Sequence, residues 1–175
     1  EAEGLINVYA QRGIQIVEAE PKAINDAYDY RLLLETNALP HFVATATREQ
    51  MMKLRQGVEE SLSALVRSPA DRAVRVRALD KDYEFHRELV DFQGNDIISK
   101  HYRLNAARLR LFRVNIGEPL QRLDIAAKEH LAIVDACLEG NVGLAAARLA
   151  EHIQISREHT LGLRPVRWKT DAAAE

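Results

Sequence analysis

Four polar side chains, one carboxylate and three imidazoles, occupy positions where a helical protein normally places its core. Asp82 and His86 are four residues apart in the segment DYEFH, so one helix would present both on the same face. His130 and His152 lie eleven residues to either side of Asn141, which follows Gly140 in a predicted break. If the flanking stretches form a helical hairpin, these equal distances place both imidazoles at the same height. The four side chains together predict a metal site.

Each of these side chains falls on the apolar stripe of its predicted helix. A buried polar group without a partner costs roughly 1–3 kcal/mol. Four inward polar groups are therefore better explained by one shared partner than by four independent accidents. The apolar neighbours on these stripes are Leu79, Leu89 and Val90 for Asp82 and His86; Leu123, Ala127, Val134 and Cys137 for His130; and Ala145, Leu149 and Ile153 for His152.

Imidazole nitrogens combined with one carboxylate oxygen suit a divalent transition metal such as Zn, Ni or Mn, with Fe and Co also compatible. Four protein ligands either close a tetrahedral structural site or leave two positions open on an octahedral ion. Glu129, adjacent to His130, is expected to project from another face and to be solvated rather than to ligate.

Arginine placement gives a second indication. In the predicted helix that starts at Ile97, Arg108 falls within the apolar stripe, whereas Arg103, Arg110 and Arg113 fall largely outside it. A buried guanidinium requires an anion, either a side chain or a bound carboxylate. Two further residues are weaker candidates. Arg31 lies in an apolar run but has Glu35 as an ordinary partner at i+4, and His101 shares the face of Arg108, from which it could line the same cavity or ligate the metal.

The composition limits the class of protein. The chain has 175 residues, 47% apolar and 29% charged, with a net charge of −2, which favours one compact helical domain without a global basic field for nucleic acid. Cys137 is the one cysteine, so no internal disulfide forms, and we expect it in the core. No apolar stretch approaches a membrane span and no signal peptide opens the chain, so a cytoplasmic location is expected.

The elements that position these residues are mostly helices. Residues 1–20 read as two short strands, with Leu5–Tyr9 and Ile14–Val17 on either side of a turn containing Gly13. The rest predicts an all-α antiparallel bundle of six or seven helices, followed by a loose tail over 164–175. The first predicted helix runs over 21 to about 37, and a short second one starts at Leu39-Pro40. The third is capped by Thr47 with Gln50, and the fourth is capped by Ser68 before Pro69 and ends near 93–94. The last three run from 97 to about 114, from a restart at 117–119 to 139, and from 142 to about 159.

The spacing of these motifs resembles a known family. The run Asp82 to His86, Gly94-Asn95, Glu129-His130 and the late His152 resemble the FadR C-terminal (FCD) domain of GntR-family transcriptional regulators. The likeness covers about residues 22–162. It implies a helical effector domain over 21–163 in which Asp82, His86, His130 and His152 bind one divalent cation, while a small organic acid occupies the open positions of the metal. It also makes Arg31 and Arg108 candidates for the carboxylate of that acid.

The same resemblance implies a role for the N-terminal segment. Residues 1–20 are similar to the end of a winged-helix domain, where the recognition helix runs into the β-wing. The helix-turn-helix that would enter the major groove lies outside these 175 residues, so we expect this chain to bind operator DNA poorly. The implied protein is a homodimeric regulator, not an enzyme, in which the acid and the metal modulate DNA binding.

Two other hypotheses compete with that of a regulator domain that senses a small acid. A metal-dependent helical enzyme acting on a small carboxylate could use the same ion, but the chain has neither H-E-x-x-H nor E-x-x-H, and it lacks Gly-rich phosphate loops. An inert helical interaction module would let the inward histidines hydrogen-bond to one another. Metal content separates this last reading from the other two.

Overall fold

A computed structural model describes residues 6–9, 13–16, 20–115 and 122–163. These residues form two strands and six helices. The strands β1 (Ile6–Tyr9) and β2 (Gly13–Ile16) pair antiparallel with Ile6 opposite Ile16. The helices are α1 (Pro21–Thr45), α2 (Arg48–Arg67), α3 (Arg72–Asp91), α4 (Asp96–Asn115), α5 (Leu123–Leu138) and α6 (Val142–Thr160). The all-α bundle predicted from the sequence is confirmed, and the expected loose tail and the restart at 117–119 lie outside the described residues.

Helix α1 is longer than the sequence predicted. The expected break before Pro40 is wrong, because one helix of 25 residues runs from Pro21 to Thr45 with Pro40 inside it. Proline lacks the N–H that would bond the carbonyl of Thr36, which normally weakens a helix. Buried Ala38, Leu39 and Phe42 flank the proline, so tertiary packing holds the helix continuous.

The helix starts follow local capping chemistry. The predicted box at the start of α2 is confirmed, since Thr47 accepts from the Gln50 N–H and Gln50 accepts from the Thr47 N–H. The predicted cap at Ser68 is wrong. Ser68 ends α2, and Asp71 caps α3 by accepting from the N–H groups of Ala73 and Val74. The Asp71 carboxylate, three residues after Ser68, is charged and is therefore a stronger hydrogen-bond acceptor than the Ser68 hydroxyl.

The α5–α6 hairpin has the geometry that the sequence predicted. Gly140 adopts φ +70°, a left-handed conformation that glycine enters at little cost, and Asn141 then caps α6 through the N–H of Leu144. The Arg148 guanidinium on α6 donates to the Ala132 carbonyl of α5 across the hairpin. These contacts fix the register of the two helices, and with it the relative heights of His130 and His152.

Helix α3 lies at the centre of the bundle, in contact with α1, α2, α4 and α5. The main core is built from apolar side chains of all six helices, and Cys137 lies buried within it, as expected. Within the described part of the chain, no helix combines the length and apolar character needed to cross a membrane.

Candidate metal centre

The four predicted ligands meet at one point inside the bundle. Asp82 and His86 project from one face of α3, His130 comes from α5 and His152 from α6. All four are buried, none more than 7% exposed. Each offers a ligand atom, and these atoms all lie within 4.8 Å of one another. Three helices therefore bring together the residues that sequence spacing selected.

The separations of the ligand atoms suit a cation at their centre. The Nε2 atom of His152 lies 3.2 Å from Nε2 of His130 and 3.2 Å from Nε2 of His86. Nε2 of His130 is 3.7 Å from Oδ1 of Asp82. Ligands about 2.1 Å from a metal ion stand about 3.0–3.4 Å apart in octahedral or tetrahedral arrangements. The cluster therefore requires little rearrangement to coordinate an ion.

The tautomers of two histidines explain why a cation fits better than mutual hydrogen bonding. Nδ1 of His86 lies 2.8 Å from Glu35 and Nδ1 of His152 lies 2.6 Å from Glu129. A carboxylate only accepts, so each ring places its proton on Nδ1 and leaves a lone pair on Nε2. The two Nε2 atoms face each other without a proton between them. A bound cation would satisfy both lone pairs, and the residues present fit one.

The electrostatic environment keeps these rings neutral. Burial, followed by the charge of Arg31, lowers the pKa of His86 well below its ordinary value. Burial also lowers the pKa of His130 and of His152 to about 3, with neighbouring His152 adding to the effect at His130 and Arg31 adding to it at His152. Neutral imidazole is the form that binds metal, so at neutral pH no bound proton must leave these nitrogens first.

Asp82 is held ionised by a guanidinium that sequence reasoning did not select. Burial alone would raise the pKa of Asp82, but Arg113, aided by the three rings, lowers it well below the usual range. Nη1 of Arg113 donates to Oδ2 of Asp82 at 3.2 Å. Arg113 is buried, so its expected place outside the apolar stripe is wrong. Helix α4 contacts both α1 and α3, and its buried face carries Tyr102, Leu109 and Arg113 at spacings of seven and four residues. This face is rotated from the stripe predicted through Arg108, which is only half-buried.

Glu129 is not the solvated residue that the sequence suggested. It accepts from His152 and also from Nη2 of Arg122, which is buried at the start of α5. Neighbouring positions on a helix point about 100° apart, so Glu129 reaches the outer side of His152 while His130 faces the centre. Glu129 thus orients His152 but is not itself one of the four candidate metal ligands.

The predicted acid-binding residues occupy three different environments. Arg31 is buried, its Nε donates to Glu35 at 2.6 Å, and its Nη2 has no hydrogen-bond partner among the described residues. Arg108 is half-buried on α4. His101 is exposed, so the expectation that it faces the cavity is wrong; Tyr102, the next residue, is buried in its place. Tyr83, adjacent to Asp82, contributes another buried polar atom, its hydroxyl oxygen, that has no hydrogen-bond partner in the part of the chain that the structure describes.

A separate groove of about 680 Å³ lies between α2 and α3. Its floor is aromatic and aliphatic, whereas its rim carries four carboxylates against two lysines. This charge balance disfavours the binding of an organic acid in this groove. The rim carboxylates are Glu60, Glu84, Glu88 and Asp91.

Comparison with known proteins identifies the domain. The family model described as the FCD domain matches residues 26–155, which is most of the helical part of the chain. The chain belongs to the FCD domain family. The resemblance to GntR-type effector domains is thereby confirmed, and the family comprises regulator domains rather than enzymes. No curated protein matches the chain.

A solved structure gives the same result for the fold. The metal-free FCD domain of TM0439, described as a proposed transcriptional regulator, aligns with a TM-score of 0.67 at 19% identity. The alignment covers 83% of this chain and 96% of that one. At this identity the match establishes a common fold. The FCD domain described here is therefore the effector-binding part of a regulator, with a candidate Asp/His₃ centre in its core.

Proposed function

We propose that this FCD domain senses a small organic acid through a bound divalent cation, Zn, Ni or Mn. Asp82, His86, His130 and His152 hold the cation, and the arginine side chains nearby bind the carboxylate of the acid. When bound, the cation supplies positive charge and open coordination positions for oxygen ligands.

One observation supports the metal most directly: the Nε2 atoms of His86 and His152 face each other 3.2 Å apart. The Nδ1 atoms of both rings face the carboxylates of Glu35 and Glu129, so each ring places its proton on Nδ1. In an inert module, the Nε2–H group of His130 can donate to Nε2 of His152 at 3.2 Å, but these tautomers provide no hydrogen bond between His86 and His152. A cation removes the conflict without moving either helix.

The orphaned polar atoms support the acid. Nη2 of Arg31 and the hydroxyl of Tyr83 are buried donors without partners in the described structure. Leaving such groups unsatisfied costs roughly 1–3 kcal/mol each, and a carboxylate is the natural acceptor for both. Arg31 is therefore a stronger candidate than Arg108 for the contact with the acid.

A change in DNA binding requires segments of the protein outside the helical bundle. We propose that the domain works as a cytoplasmic homodimer and that residues 1–20 are the end of a winged-helix domain whose remainder contacts operator DNA. Acid and metal would then shift the population of dimer geometries and so change DNA affinity.

Metal content tests the centre. Protein purified without chelating resins and exposed to Zn, Ni or Mn should retain close to one ion per chain by elemental mass spectrometry. His130→Ala and His152→Ala should each lose tight binding, because three ligands remain. The exposed His101→Ala is the matched control and should retain the ion. Wild-type content in either core variant would contradict the ligand set.

Calorimetric titration of metal-loaded protein with acetate, succinate and citrate tests the acid site. Arg31→Ala should keep the ion but weaken binding of the preferred acid by about tenfold or more, as for loss of a charge-assisted bond of about 1.5–3 kcal/mol. Arg108→Ala should have a smaller effect. Unchanged affinity in Arg31→Ala would remove that residue from the site.

A further inference from the structure

Helices α1 and α4 contribute none of the four ligands, yet both have buried groups in contact with the centre. From α4, Arg113 reaches Asp82 and Tyr102 reaches Glu35. From α1, Glu35 reaches His86. These hydrogen bonds link α3, which carries Asp82 and His86, to α1 and α4, which both pack against it.

Glu35 is the connecting residue in this set. It is 0% exposed, and its two oxygens serve three helices. Oε2 accepts from Nδ1 of His86 at 2.8 Å, while Oε1 accepts from Nε of Arg31 at 2.6 Å and from the hydroxyl of Tyr102 at 2.7 Å. A carboxylate with both oxygens engaged has one orientation, so a displacement of the His86 ring also displaces the groups on α1.

We propose that Glu35 is a positioning residue of the metal centre and that it transmits metal occupancy to α1. The inference rests on the proposed function. Glu35 fixes the tautomer and the ring orientation of His86. In return, a ligated His86 holds Glu35, and Glu35 holds Arg31 through Nε, which leaves the unpartnered Nη2 to bind the acid. The metal thereby orders the guanidinium that recognises the carboxylate.

The position of α1 gives this link its consequence. Helix α1 begins at Pro21, a few residues after strand β2 ends at Ile16. It contacts α3, α4 and α6, and its buried side chains include Arg31 and Glu35. A change in the order of α1 therefore alters the helix that follows the N-terminal strands in the chain.

Glu129 offers a matched contrast. It orients His152 from α5, and its other partner, Arg122, precedes the same helix. Glu35 and Glu129 each support one candidate metal ligand, but among the described residues Glu129 makes no hydrogen bond or ion pair with α1. Replacing either one should weaken metal binding, whereas only Glu35 should affect the response of α1.

Hydrogen–deuterium exchange with and without saturating Zn tests the assignment. In the wild type, Zn should slow exchange in peptides over 28–39 as well as in α5 and α6. Glu35→Gln should weaken Zn binding by about 10–100-fold and, at saturating Zn, should leave exchange over 28–39 unslowed. Glu129→Gln should weaken binding to a similar degree but keep the slowing over 28–39 once saturated.

The outcomes separate this inference from the proposed function. A wild type that binds none of Zn, Ni and Mn overturns the metal centre itself. A wild type that binds Zn without slower exchange in α1, or a Glu35→Gln variant in which Zn still slows that exchange, overturns only the role of Glu35.

Should Glu35→Gln fail to fold, the same comparison uses the double variant Arg31→Met with Glu35→Gln, which removes both buried charges together. Tyr102→Phe, which removes one bond to Glu35, should weaken binding less than Glu35→Gln.

Discussion

At the scale of single residues, the centre depends on outer partners as much as on ligands. Asp82 and His86 are recognisable from their spacing alone. Their partners Arg113 and Glu35 are not, because they lie on other helices, 31 and 51 residues away in sequence. Each partner fixes the charge or the tautomer of a ligand. Such contacts explain why four buried polar groups are tolerated before any ion is bound.

The Asp82–Arg113 pair yields a prediction for the metal-free protein. Arg113→Met should lower the free energy of unfolding by about 3–5 kcal/mol, because it leaves a buried carboxylate without its cation. Urea denaturation in chelator measures this loss. Metal should raise the melting temperature more in the variant than in the wild type, since the ion replaces the missing charge.

Arg110→Met is the control for that experiment. Arg110 pairs with Asp80 at 2.9 Å, but both side chains are nearly half exposed, so the loss should be under about 1 kcal/mol. Equal stability of Arg113→Met and wild type without metal would contradict the structural role assigned to Arg113.

At the scale of elements, helix starts and the α5–α6 hairpin decide the registers. The sequence correctly indicated the Thr47 box and the Gly140-Asn141 turn, because both are set by local hydrogen bonds and backbone preference. It misplaced the start of α3 and divided α1 at Pro40. Local rules weigh proline against a helix, but they do not include the packing that holds residues 38–42 together.

Two glycines provide a matched pair of substitutions. Gly140→Ala should lower the free energy of unfolding by about 1–2 kcal/mol, because an alanine is strained at φ +70°. Gly57→Ala, within α2 and with open space at its added Cβ, should raise it by up to about 1 kcal/mol. Chemical denaturation in metal-free buffer measures both. A neutral Gly140→Ala would show that the hairpin does not need this conformation.

At the scale of the whole molecule, α3 at the centre makes the bundle and the site a single cooperative unit. The ligands come from α3, α5 and α6, and α1 and α4 join them through Glu35, Tyr102 and Arg113. A cation bound at the candidate centre would therefore stabilise contacts among most of the helices of the core rather than within one loop.

Metal should stabilise the entire domain by mass action. At a free concentration about 100 times Kd, a bound ion adds about 2.7 kcal/mol, which for a domain of this size raises Tm by about 5–10 °C. Differential scanning calorimetry measures the shift, and excess chelator should reverse it. His152→Ala should show almost no shift, and a full shift in that variant would place the stabilising ion elsewhere.

The amino-acid sequence by itself determined the helical class, the break at Gly140 and the four side chains of the candidate centre. These follow from the helical period and, for His130 and His152, from equal distances of eleven residues to Asn141 within one hairpin. Neither signal depends on how the other helices pack. Only the tertiary structure decided that Arg113 is buried against Asp82, that Glu129 supports His152 and that Glu35 joins α1 to His86. Those contacts depend on how separate helices rotate and cross, and pairing across 23 to 51 residues leaves no local periodic trace in the chain.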